Sequence, residues 1–226
     1  MTSAQSHPWP DLACVLFDLD GTLLDTAPDL IAALNNALLR HGLAPINTVM
    51  IRPLISLGVA AMARHAVGAE DETLLQTVIA TMLDHYQTHL AEQTQLYAGM
   101  NEVLTTIEAR GLQWGVVTNK KARFTEPLLA AFGLAERAAC IVSGDTTPHS
   151  KPHPEPLRAA SQHTGVAPAR CVYIGDAAHD ITAGRAAGMR TLAAGYGYLK
   201  PDDRPENWAA DAIIGAPRDI LAWLPA

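Results

Sequence analysis

The sequence predicts an α/β fold, a parallel sheet covered by helices on both faces and interrupted near its start by an all-helical insertion. From Leu112 onward, short apolar runs alternate with helical stretches, the rhythm that builds such a sheet. Residues 28–96 read as consecutive helices with no strand between them. The run Cys14-Val15-Leu16-Phe17 stands before that block and takes its strand partners from the later runs. With 226 residues, 49% of them hydrophobic, the chain is long enough for one large domain or a core with a smaller insertion.

In chain order, Pro28 opens the first helix, because its missing N–H costs nothing in the first turn. Ile31, Leu34, Leu38 and Leu39 form its apolar face, and Gly42 ends it. A second helix spans Val59 to Val67 and closes at Gly68. A third follows from Leu74, Leu75, Val78, Ile79, Met82, Leu83, Tyr86 and Leu90, which share one helical face. The later strands are 113–118, 140–143, 171–174, 191–194 and 212–214. Helices are expected at 124–132, 155–164, 180–187 and 218–224. The stretch from Tyr196 to Trp208, rich in Pro, Asp and Gly, reads as a surface loop.

Lys and Arg number 16 against 23 Asp and Glu, a net charge of −7, so neither nucleic acid nor an anionic membrane surface is expected as a partner. The three cysteines, Cys14, Cys140 and Cys171, are scattered among aliphatic residues and fit neither a disulfide framework nor a zinc pattern. They read as buried thiols in a reducing compartment. Met1 to Pro10 lacks a basic region before an apolar stretch, and no apolar run reaches membrane-spanning length, so a cytoplasmic protein is expected.

Four polar clusters fall at the carboxyl ends of expected strands, where open parallel sheets bind ligands. They are Asp18 with Asp20, Thr118-Asn119, Ser150-Lys151-Pro152, and Gly175-Asp176 with Asp180. Asp18 and Asp20, two apart at a strand end, should point the same way. At ~4 Å and an effective dielectric near ~20 they would repel by about 4 kcal/mol, which calls for a cation. Any one cluster alone is ordinary turn or capping chemistry. Four in order, each after an apolar run, mark a site.

DLDGT, TN, SKP and GDAAHD in this order resemble the signatures of the haloacid dehalogenase-like hydrolase superfamily, and the resemblance spans the whole chain. It implies a Rossmann-like catalytic core over 11–27 plus 97–226 and an α-helical cap over 28–96, the arrangement of the phosphoglycolate phosphatase branch. It further implies a Mg²⁺-dependent phosphatase acting on a small phosphorylated metabolite through an aspartyl-phosphate. Asp18 would be the nucleophile and Asp20 the general acid and base. Asp18, the backbone carbonyl of Asp20, and Asp176 would hold Mg²⁺, with Asp180 orienting a metal-bound water or Lys151. Thr118 and Asn119 would bind phosphate, and Lys151 would neutralise Asp18 and the phosphoryl group. Ala177 and Ala178 follow Asp176 where the family commonly carries Ser or Asp, so no side-chain role is expected there.

Asp20 is unlike the dehalogenases, which generally lack an aspartate there, and unlike P-type ATPases, which resemble one another in a threonine. The sugar-phosphate mutases resemble one another in a histidine where this chain has Leu30. A phosphatase is therefore favoured over a mutase, and over a non-catalytic phosphometabolite-binding protein, which would not need the second acid. The tail Tyr196-Gly197-Tyr198 with Trp208 and Asp211 looks closer to phosphatases of N-acetylmuramic acid 6-phosphate, enzymes of peptidoglycan recycling. Phosphoglycolate is the alternative substrate. Arg52, Ser56 and Gly58 lie in an inter-helix segment of the cap, where Arg52 could pair with a substrate carboxylate. His149, His153 and His179 flank the third and fourth clusters but are not expected as ligands of hard Mg²⁺.

Overall fold

The computed structural model describes residues 9–68 and 71–226; the reading of the amino terminus therefore lies, for residues 1–8, outside the described residues. Six parallel strands form the main sheet in the order β5-β4-β1-β6-β7-β8. They are β1 (Cys14–Phe17), β4 (Gln113–Val117), β5 (Cys140–Val142), β6 (Cys171–Gly175), β7 (Arg190–Ala194) and β8 (Ala212–Ile214). β1 sits between β4 and β6, and its side chains alternate between two apolar cores. Val15 and Phe17 join Trp114, Val116, Val172 and Ile174 on one face. Cys14 and Leu16 join Val117, Cys171 and Tyr173 on the other. All three cysteines are buried and free, as their aliphatic neighbours imply.

The helical block follows β1. It comprises α1 (Ala27–Arg40), α2 (Thr48–Ile51), α3 (Val59–Val67) and α4 (Glu72–Thr88), with a 3-10 turn over Arg52–Leu57. Leu34, Met62, Val78, Met82 and Tyr86 are buried within it. Each such side chain contributes roughly 1.5–3 kcal/mol by leaving water. The block joins the core through a two-residue ribbon in which β2 (Leu24–Asp25) pairs antiparallel with β3 (Gln95–Leu96). Near this junction the buried Asp29 carboxylate accepts from Gln93 N–H, Thr94 N–H and the Thr94 hydroxyl, tying the start of α1 to the returning chain. The remaining helices are α5 (Met100–Ala109), α6 (Ala122–Ala131), α7 (Glu155–Thr164) and α8 (Ala178–Ala186).

Five expectations change. β3 falls inside the stretch read as free of strands. Leu39 points to solvent at 62% exposure, since the face set by Ile31, Leu34 and Leu38 turns away from it. α5 was not among the expected helices, although Met100, Val103, Leu104 and Ile107 bury one face at helical spacing. The carboxyl-terminal helix is 3-10, over Pro217–Trp223, as is the inter-helix segment carrying Arg52 and Ser56. Finally, the stretch after β7 is not all surface: Tyr198 is 2% exposed. Among the described residues no helix is long and apolar enough to cross a membrane.

Candidate active site

Asp18 and Asp20 follow β1 directly, and both line a cavity of about 120 Å³ between the sheet's carboxyl edge and the helical block. Each carboxylate has its own ammonium. Asp18 Oδ1 lies 2.9 Å from Lys151 Nζ, and Asp20 Oδ1 lies 3.0 Å from Lys120 Nζ. The need for a local cation inferred from sequence is thus met twice by lysines. The strongest crowding lies elsewhere, among Asp18, Asp176 and Asp180, whose carboxylates come within 4.8 Å of one another.

Lys151 is the hub of that cluster. Its side chain is 1% exposed, and its ammonium lies 2.7 Å from Asp180 Oδ1, 2.7 Å from the Tyr173 hydroxyl and 3.1 Å from Val117 O. Burial opposes its charge, but Asp18 and Asp180 outweigh burial and hold the ammonium above its usual range. Tyr173 was not singled out from sequence. Its ring belongs to the core face, while its hydroxyl donates to Val117 O at 2.7 Å and braces the lysine.

Asp180 is spent on protein partners, Oδ1 on Lys151 and Oδ2 on the Ala177 N–H at 3.1 Å. Burial would raise it, yet the Lys151 ammonium keeps it below the usual carboxylate range. Asp176 is different. Oδ2 accepts from Ser56 Oγ (3.0 Å) and Tyr198 N–H (2.8 Å), while Oδ1 is buried with no partner. Burial first, then the charges of Asp180 and Asp18, push its carboxyl well above the usual range. Asp18 is also raised, chiefly by burial, despite Lys151. Asp18 and Asp176, the latter with an orphaned buried oxygen, offer the carboxylate donors a hard divalent cation takes. Asp18 and Asp176 have coordination to spare; Asp180 has none.

Asp20 is fixed from two sides, by the Thr26 hydroxyl donating to Oδ1 at 2.6 Å and by Lys120 Nζ at 3.0 and 3.1 Å from its two oxygens. Lys120 is the second residue sequence reasoning passed over. Burial disfavours its charge, but Asp20 overrides this and raises it. Its ammonium also lies 4.6 Å from the Tyr86 ring centroid, reaching α4 of the helical block. The available signal was its position two residues after Thr118, just beyond the end of β4.

Thr118 is buried at the end of β4, where its hydroxyl accepts from Lys120 N–H at 3.2 Å. Asn119 lines the cavity, but its amide grips the Lys151 backbone. Oδ1 accepts from Lys151 N–H at 3.0 Å and Nδ2 donates to Lys151 O at 3.1 Å. Of the three residues noted in the helical block, Ser56 and Gly58 line the cavity. Arg52 does not. It pairs with Asp25 at 2.9 Å and lies 4.9 Å above the Tyr198 ring. Tyr198 in turn donates its hydroxyl to Asp25 Oδ1 at 2.8 Å and accepts from Ala27 N–H at 2.9 Å. An adjoining apolar chamber of about 100 Å³ is walled by Ile55, Met62, Leu83, Tyr86 and Phe124, with Asp20 and Lys120 at its polar end.

Comparison with known proteins agrees with this geometry. The haloacid dehalogenase-like hydrolase family model matches residues 15–194. An N-acetylmuramic acid 6-phosphate phosphatase of Pseudomonas aeruginosa is 44% identical over 211 residues, covering 93% of each chain. A phosphoglycolate phosphatase of Xanthomonas campestris is 42% identical over 212 residues, covering 94% of this chain and 95% of the relative. The crystal structure of a predicted phosphoglycolate phosphatase from Haemophilus somnus superposes with a TM-score of 0.85 at 28% identity, covering 93% of this chain and 97% of that one. The chain belongs to the haloacid dehalogenase-like hydrolase family and is a phosphoric monoester hydrolase.

Proposed function

We propose that this protein is a Mg²⁺-dependent phosphatase that hydrolyses N-acetylmuramic acid 6-phosphate through an aspartyl-phosphate. The observation that carries the chemistry is the separate fixing of two carboxylates, Asp18 by Lys151 and Asp20 by Thr26 and Lys120, on one cavity. Asp18 attacks phosphorus, and the P–O bond to the leaving group breaks as Asp20 gives that oxygen a proton. Asp20 then takes a proton from the water that hydrolyses the acyl phosphate. Lys151 screens Asp18 from the incoming dianion, and Thr118 and Asn119 contact phosphate oxygens from the end of β4. Asp18, Asp176 and the backbone carbonyl of Asp20 would hold Mg²⁺, which supplies further positive charge to the phosphoryl group. Asp180 positions Lys151. Residues 28–96 act as a cap over residues 11–27 plus 97–226.

The substrate reading rests on the relative at 44% identity and on the apolar chamber beside Asp20. N-Acetylmuramic acid carries two methyl groups, on its acetyl and lactyl substituents, that such walls can bury; glycolate carries none. Phosphoglycolate is the second reading, favoured by the relative at 42% identity. Steady-state kcat/KM on the two phosphates separates them. We expect at least a tenfold preference for the amino-sugar phosphate, since one buried methyl alone is worth about ten- to two-hundred-fold. A preference for phosphoglycolate reverses the assignment, and isomerised rather than dephosphorylated product makes the protein a mutase. Asp18→Asn should abolish phosphate release while the protein stays folded; residual turnover above a few per cent would remove Asp18 as nucleophile.

A further inference from the structure

The loop that delivers Lys151 has an outer side that the phosphatase chemistry does not use. His149 Nδ1 lies 2.6 Å from Glu155 Oε2, and His153 Nδ1 lies 3.8 Å from the same oxygen. The two imidazoles stack with centroids 4.4 Å apart, and one donor atom from each of the three residues falls within 4.8 Å of the others. All three side chains reach solvent, at 62%, 49% and 36% exposure.

The backbone beneath them is held on every side. Lys151 exchanges two hydrogen bonds with the Asn119 amide, His153 N–H donates to Ser150 O, and the Thr147 hydroxyl donates to His149 O. Pro148, Pro152 and Pro154 restrict φ at three positions, and Glu155 is the first residue of α7. The His153 Nδ1 lone pair faces inward, where it accepts from Glu155 N–H at 3.3 Å. Two imidazoles and one carboxylate on a restrained loop form a three-ligand set that leaves a fourth position open to water. Tetrahedral bonds of ~2.0–2.1 Å place donors about 3.3 Å apart, within the range these atoms already span. Side-chain rotation alone would complete the site.

We propose that His149, His153 and Glu155 bind one borderline transition-metal ion of the Zn²⁺ class on the outer face of the lysine loop. The site differs in kind from the all-oxygen cluster at Asp18 and Asp176, because imidazole nitrogen selects Zn²⁺, Co²⁺ or Ni²⁺ over Mg²⁺. Binding replaces the contact between His149 and Glu155 and bridges both ends of the segment 149–155. The catalytic ammonium lies between the two imidazoles in sequence, so the ion braces from outside the loop that Asn119 grips from within.

The test uses the full-length, tag-free chain, stripped with chelator and held in excess Mg²⁺. Co²⁺ is titrated with visible absorption as the readout, and Zn²⁺ by calorimetry. The expected result is one ion per chain with nitrogen-ligand d–d bands. His149→Ala, His153→Ala and Glu155→Gln should each weaken binding at least tenfold, while Asp18→Asn leaves it unchanged. Zn²⁺ should also raise the melting temperature by a few degrees, a shift lost in His149→Ala. Featureless Co²⁺ spectra, or unchanged affinity in a His149→Ala/His153→Ala double variant, would overturn the proposal.

Discussion

Lys151 and Lys120 place one buried ammonium against each acid, Asp18 and Asp20. Lys120→Met should lower kcat by about ten- to a hundredfold, since Asp20 then relies on Thr26 alone for its position. In an Asp20→Asn background the same substitution should add little, and a double-mutant cycle on kcat measures this coupling. Independent, multiplicative losses would show that Lys120 acts apart from Asp20. At this scale the polar clusters are legible because each follows an apolar run, and the fold brings Asp18, Lys151, Asp176 and Asp180 of those clusters together. The sequence does not disclose Tyr173 and Lys120, which are ordinary members of a strand and of a strand exit. Their roles depend on β4 and β6 flanking β1, which brings the Tyr173 hydroxyl to the Lys151 ammonium. Arg52 teaches the converse: an arginine that could have met a substrate carboxylate pairs with Asp25 in this structure.

At the scale of elements, the turn after β1 is the most constrained. Gly21 has φ +84°, and a Cβ there would run into the Asp176 carboxylate and come within 2.9 Å of the Tyr198 ring. Gly21→Ala should destabilise the fold by roughly 1–3 kcal/mol through backbone strain and raise the Mg²⁺ concentration needed for half-maximal activity. Urea unfolding and a Mg²⁺ titration check the two effects. α5 supplies a pH signature. Its Glu108 accepts from Arg137 at 3.0 Å and from the buried Trp114 indole at 2.9 Å, and these contacts, Arg137 first, lower its pKa below the usual 4.5. A lowered folded pKa means the contribution is complete above about pH 4.5 and fades as pH falls through the lower folded value. Acid unfolding of Glu108→Gln should lose that pH dependence, with stability near neutrality reduced. The six strands of the main sheet and most of the long helices, though not α5, were legible because burial writes a period into the sequence. The 3-10 turn at Arg52–Leu57 was not, being short and set by what it packs against, and the carboxyl-terminal one at Pro217–Trp223 was legible as a helix but not as 3-10.

Taken whole, the molecule holds the helical block against the rest of the chain through polar contacts that converge near the proposed metal site. Ser56 of the 3-10 turn donates to Asp176, and Arg52 and Tyr198 meet at Asp25. A divalent ion relieves the repulsion among three buried carboxylates, so Mg²⁺ should stabilise the folded protein. At one hundred times its dissociation constant the gain is about 2.7 kcal/mol, a rise of several degrees in melting temperature. Asp176→Asn should abolish the Mg²⁺-dependent part of that shift in differential scanning fluorimetry. The sequence revealed the helical block as an insertion but not its means of attachment, because a two-residue strand leaves no periodic trace.

That attachment carries its own implication. Leu24 pairs with Leu96 and Asp25 with Gln95, so the block departs from the core and rejoins it side by side. Lengthening or exchanging what lies between those pairs costs little chain entropy and leaves the strand order of the sheet untouched. An insertion of another length or packing can therefore stand at this branch point with the six-stranded sheet and the site at its edge undisturbed.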